Sequence, residues 1–159
     1  MKRTDANPVA RTATLLGLAT ALTLPACGRP DEVTVDKAWV RLPAVPGRPA
    51  AGYAIVRGRD RPMTLLRVSA DTAIRTEMHE TMRNGRMTSM RPLDSLSLPA
   101  RGEIDFEPGG RHLMLFGINP SVKPGGTMVL TFNFGDGTRV SRKAMVVAAG
   151  DDAGGNGAK

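Results

Sequence analysis

Two histidines and two methionines stand at intervals that suit a metal ion. His79 is followed after ten residues by Met90, after twenty-one more by His112, and after one more by Met114. They are the only two histidines of the chain, and the stretch from 78 to 114 also holds Met78, Met82 and Met87, so five of the nine methionines fall within it. Thioether sulfur is a soft donor suited to Cu(I), and imidazole suits copper generally. Thioethers do not titrate, so acid acts on such a site mainly through the two histidines, which must be neutral to bind. A site without a thiolate holds copper by weaker individual bonds than a cysteine cage, which favours hand-over. Taken singly, each residue has a plainer reading: methionine is often core filler, and a lone histidine is more often hydrogen-bonded or exposed than a ligand.

Joint placement is what separates the four from their neighbours. Asn84-Gly85 is a strong signal for a two-residue hairpin turn, since such turns need positive φ at the central positions. With Arg83 opposite Arg86, Met82 faces Met87, Thr81 faces Thr88, Glu80 faces Ser89, and His79 faces Met90. Directly opposed residues hold their Cβ atoms about 4.5–5.5 Å apart, so an imidazole and a thioether converge on one face. Met78, Met82 and Met87 fall on the other face, as packing or as a secondary methionine surface. His112 and Met114 are two apart on an apolar strand and share a side. If Leu113 and Leu115 face the core, that pair faces out. Four side chains from a hairpin and a neighbouring strand are therefore expected to meet at the surface.

The remaining chain supplies short strands. Residues 31–40 alternate, with Val33, Val35 and Trp39 on one face, and Pro43, Pro46, Gly47 and Pro49 form a loop. Tyr53 and Ile55 share a side of a second strand over 51–57, and Leu66 and Val68 a side of a third over 63–69. Residues 73–79 lead into the hairpin, and 93–98 form a short alternating piece. Over 102–107, Ile104 and Phe106 point one way and Glu103, Asp105 and Glu107 the other, the pattern of a half-buried strand. Met128, Leu130, Phe132 and Phe134 mark one face of 127–134. After the Asp136-Gly137 turn, Val140, Ala144 and Val146 mark one face of 138–147. No stretch after residue 27 sustains a helical period, so the chain is expected to be an all-β sandwich or barrel in one domain.

The ends read differently. Lys2, Arg3 and Arg11 precede an apolar run over 12–26 that is short for a membrane span, the pattern of an export signal. Removing residues 1–26 takes away three basic residues and one acidic one and lowers the formal charge from +7 to +5. The arginines are scattered and aromatics scarce, which leaves no nucleic-acid footprint. Cys27 is the single cysteine, so no disulfide can form within the chain. It follows Leu24-Pro25-Ala26, which resembles the lipobox of bacterial lipoproteins, where the cysteine is acylated and becomes the mature N-terminus. Pro25 departs from the residue types usual there, and ordinary cleavage nearby is the alternative. The expected division is a signal peptide over 1–26, a tether over 27–32, a copper-binding β-sandwich over 33–148 and a glycine-rich disordered tail over 149–159.

The spacing His79, Met90, His112, Met114 resembles that of the bacterial periplasmic copper chaperones called PCu(A)C proteins. The likeness extends through Asp36-Lys-Ala-Trp-Val-Arg41, Ala50-Ala-Gly-Tyr53, Met87-Thr-Ser-Met-Arg-Pro92, Pro108-Gly-Gly-Arg-His-Leu-Met114 and the Asp136-Gly137 hairpin. It implies a cupredoxin-like Greek-key β-sandwich, monomeric, that binds Cu(I) through His79, Met90, His112 and Met114. It also implies delivery to the copper-accepting domain of cytochrome c oxidase or to another copper chaperone, from an extracytoplasmic position, here with a lipid anchor at Cys27. Some relatives carry a His- and Met-rich tail with a second copper site; this tail has neither residue type.

Three other classes compete. A blue-copper electron carrier needs a cysteine thiolate, and Cys27 lies outside the domain. A scavenging or tolerance lipoprotein would use the same four residues without an oxidase client. An enzyme finds little support: Glu103, Asp105 and Glu107 look like a solvated face, and no nucleophile, base and carboxylate stand at a telling spacing.

Overall fold

The computed structural model describes residues 32–85 and 87–152. The expected signal peptide, Cys27 and the tail beyond residue 152 lie outside the described residues, as does Arg86.

Ten strands form the described chain: β1 (Thr34–Arg41), β2 (Ala50–Arg57), β3 (Met63–Ala70), β4 (Ala73–Asn84), β5 (Met87–Leu93), β6 (Leu96–Leu98), β7 (Glu103–Phe106), β8 (Arg111–Ile118), β9 (Thr127–Phe134) and β10 (Arg139–Val147). Alternating apolar residues bury one face most plainly in β7 and β9, whereas β5 is exposed along nearly all its length. The strands hydrogen-bond in the order β5-β4-β8-β2-β1-β10-β9-β3-β6, with β7 also on β2. β1 lies antiparallel to β2 and parallel to β10, so the first and last strands join the two halves. The sheet folds over one core: Phe106 of β7 and Phe132 of β9 meet across it with ring centroids 6.4 Å apart. Val40, Val56, Leu113, Leu115, Phe132 and Val146 lie fully buried between the halves.

Two bulges shift the expected faces. Register slips between Asp36 and Trp39 of β1, where Lys37 takes φ 47°. An extra residue in one strand inverts the alternation beyond it. Val33 and Val35 are in the core as expected, but Val40 follows them there and Trp39 is turned to the outer face, stacked on Tyr53 at 4.3 Å. In β3 the slip falls between Leu65 and Arg67, so Leu65 and Val68 are buried and Leu66 is exposed. The other alternations stand: Ile104 and Phe106, the even-numbered residues of β9, and Ala144 and Val146 all face inward.

The β4–β5 hairpin also differs from expectation. Asn84 pairs with Met87, Glu80 with Arg91 and His79 with Pro92, while Met90 faces Thr81. Gly85 follows Asn84 at the turn with φ 59°, a conformation that costs glycine little. This register sets Met78 against Leu93 and lets Arg91 Nη2 donate to Glu80 Oε2 at 2.8 Å; the expected one offered Glu80 only Ser89. Each partner moves by two residues, a full pleat period, so every side chain keeps its face.

Candidate metal centre

β4 is the axis of the site, bonded to β5 on one side and to β8 on the other. Its outer face carries Glu77, His79 and Thr81, because its inner face must deliver Met78 to the core. On β8, Leu113 and Leu115 are fully buried and send His112 and Met114 to that same outer face. The β4–β8 register then sets His79 directly opposite His112, and Glu77 opposite Met114. On the β5 side Met90 is diagonal to His79, since Thr81 is its direct partner. All four residues picked from the sequence therefore share one face, arranged as a band from Met90 through His79 and His112 to Met114.

The imidazole centroids lie 6.0 Å apart. Imidazole nitrogen binds a first-row ion such as zinc at about 2.0–2.1 Å, which puts an ion roughly 3 Å from each centroid, so this separation admits one ion between the rings. Diagonal residues on neighbouring strands, as Met90 is to His79, have Cα positions about 7–8 Å apart, still within reach of a long side chain. The site is more enclosed than a surface patch: His112 is 7 % exposed, while Met90 at the rim is 59 % exposed. The inner-face methionines sort as the face assignment requires. Met78 is in the core, whereas Met82 and Met87, towards the hairpin tip, are 46 % and 78 % exposed.

Both rings are held from behind. His112 Nδ1–H donates to the Gly110 carbonyl at 3.2 Å. His79 Nε2–H donates to Glu77 Oε2 at 3.0 Å, and His79 Nδ1 is buried without a hydrogen-bond partner. A buried acceptor left unpaired costs about 1–3 kcal/mol; an ion would use that lone pair. Arg75 Nε forms an ion pair with Glu77 Oε1 at 3.2 Å, and the Arg75 guanidinium lies 4.5 Å above the Phe116 ring. Glu80, on the other face, is bridged by Arg91 and Arg111, which ties β5, β4 and β8 together.

Glu77 is the member of this centre that the spacing did not mark. Its signal was its place two residues before His79, on the same face of a strand. Among the described residues no three His, Cys, Asp or Glu side chains come together to hold a metal, so an ion bound here would need the thioethers.

Beside the band, on the outer face, Met114 pairs with Ala51 and Ala51 with Arg41. Arg41 Nη2 donates to the buried Tyr53 hydroxyl at 2.8 Å. Burial pushes the Tyr53 phenol above its ordinary pKa, and the Arg41 charge and hydrogen bond oppose the shift.

Comparison with known proteins gives the arrangement a context. The family described as "Putative lipoprotein LpqE-like" matches residues 33–146. A protein of Leifsonia xyli subsp. xyli named as a lipoprotein is 31 % identical over 133 residues, covering 79 % of this chain and 80 % of that one. The solution structure of the Cu(I) form of a Deinococcus radiodurans protein superposes with a TM-score of 0.58 at 29 % identity, over 81 % of this chain and 83 % of the other. The copper-bound PCuAC domain of PmoF2 superposes with a TM-score of 0.60 at 24 % identity, over 73 % and 92 %, a likeness of fold, and that fold is cupredoxin-like. The chain belongs to the LpqE-like lipoprotein family, which is related to the PCuAC domains.

Proposed function

We propose that this protein is an extracytoplasmic Cu(I) chaperone, that His79, Met90, His112 and Met114 hold the ion, and that the copper-accepting domain of cytochrome c oxidase receives it. The observation that carries this reading is the direct cross-strand opposition of His79 and His112, with Met90 and Met114 on the same face. Support comes from the similarity to structures that contain copper or Cu(I). Two imidazoles and two thioethers make a soft, thiolate-free donor set. The role is to bind and release, with no chemical transformation of a substrate.

Release has a direction. Met90 is the most exposed of the four and sits at the hairpin rim. An incoming acceptor ligand would displace that thioether first, while the enclosed His112 leaves last. We further propose residues 1–26 as the signal peptide and Cys27 as the acylated anchor, which agrees with the lipoprotein names of the family and of the Leifsonia relative. Residues 33–148 form the copper-binding unit, with a short tether before it and a tail after it.

Transfer tests the finer part of this reading. Cu(I)-loaded protein mixed anaerobically with the apo copper domain of an oxidase should lose its metal to that domain. Retention of copper by a protein that binds it stoichiometrically would overturn delivery and favour scavenging.

A further inference from the structure

We infer that Glu77 is a positioning residue that fixes which nitrogen of His79 is offered to the metal. This rests on the proposed copper site. An ionised carboxylate can only accept a hydrogen bond, so the 3.0 Å contact between His79 Nε2 and Glu77 Oε2 requires the ring proton on Nε2. A neutral ring then has its lone pair on Nδ1, the atom that is buried and unpartnered. His112 is set the other way: a carbonyl also only accepts, so its contact with Gly110 at 3.2 Å puts the proton on Nδ1 and leaves Nε2 free. Two identical side chains, directly opposite each other, are thus held as opposite tautomers.

The carboxylate is itself held. Arg75, Glu77 and His79 alternate along one face of β4, and Arg75 Nε is ion-paired with the second Glu77 oxygen at 3.2 Å. Arg75 in turn rests on Phe116, its direct partner on β8. Phe116, Arg75 and Glu77 therefore form a relay of contacts ending on His79. A carboxylate that accepts the second N–H of a ligating histidine fixes its tautomer and raises its basicity, and removing such a group typically costs about 10–100-fold in metal affinity.

The test begins without copper. Apo protein labelled with 15N, held alkaline enough that both rings are neutral, is read by long-range 1H–15N correlation. His79 should show the Nε2–H tautomer and His112 the Nδ1–H tautomer. Glu77→Ala should turn His79 into a tautomer mixture, leave His112 unchanged, and weaken Cu(I) about 10-fold or more in a chelator competition. Glu77→Gln should fall between, because an amide oxygen can accept from Nε2–H but the amide nitrogen can also donate to the other tautomer. A wild-type His79 found as Nδ1–H, or a Glu77→Ala protein with unchanged tautomer and unchanged affinity, overturns the inference. His79→Ala binding copper as tightly as wild type would sink the copper reading; with the tautomers as expected, it would still support the hold of Glu77 on the ring.

Discussion

His79 of β4 and His112 of β8 are direct cross-strand partners, with imidazole centroids 6.0 Å apart. Two ligands that share one ion are not independent, because losing either leaves a site the other cannot sustain. His79→Ala and His112→Ala should each weaken Cu(I) binding in an anaerobic competition titration. The double variant should fall short of the sum by about 0.5–3 kcal/mol, the range for residues in contact. Strict additivity would mean that the rings do not serve the same ion.

The methionines can be sorted by oxidation. Peroxide attacks exposed thioethers and turns them into polar sulfoxides. Met82, Met87, Met90 and Met145 are exposed while Met78 and Met128 are buried, so the first four should oxidise soonest in the apo protein. Ag(I), a soft stand-in for Cu(I) that peroxide does not oxidise, ties up the Met90 sulfur when bound at the site and should slow its oxidation, leaving Met82, Met87 and Met145 unprotected. Peptide mass analysis after a short anaerobic pre-load reads the difference. Equal protection of Met87 and Met90 would argue against the face assignment.

Leu113 is fully buried between the two β8 residues of the site. Leu113→Ala should cost about 2–5 kcal/mol of stability, the usual range for truncating a buried leucine, seen as a lower urea midpoint. Binding by the fraction that remains folded should persist, since Leu113 points away from the ion. A loss below 1 kcal/mol would show that β8 is not packed as described.

Tyr53 predicts an alkaline limit. Its pKa is raised above 10.0, first by burial. As pH climbs past that value the unfolded chain gives up the phenol proton while the folded chain keeps it. The folded state then binds more protons, and stability falls with rising pH, a loss complete once the folded phenol also titrates. Phenolate absorbance should appear at higher pH in the native protein than in the denatured chain. Coincident titrations would show that Tyr53 is not buried as described.

The site's shared face was legible from the sequence because the strand period is two. The true hairpin register differs from the expected one by two residues at every partner, and a slip of two preserves faces where a slip of one would have reversed them. The leucines flanking Met114 fixed the β8 face for the same reason. The bulges at Lys37 and between Leu65 and Arg67 were not legible: one extra residue inverts a face, and nothing in the local pattern at Trp39 or Leu66 announced it. Nor was the opposition of His79 and His112, since pairing between strands about thirty residues apart is set by how the whole sheet closes. Glu77 escaped because a lone carboxylate in a strand most often faces solvent, and its role appears only once His79 is beside it.

The four-residue site is tested most directly by X-ray absorption at the copper edge on anaerobically loaded protein. The proposed ligand set predicts a first shell of both nitrogen and sulfur scatterers, with the sulfur contribution reduced by Met114→Ala and the nitrogen contribution by His112→Ala. A shell without sulfur, or one that neither substitution changes, would contradict it.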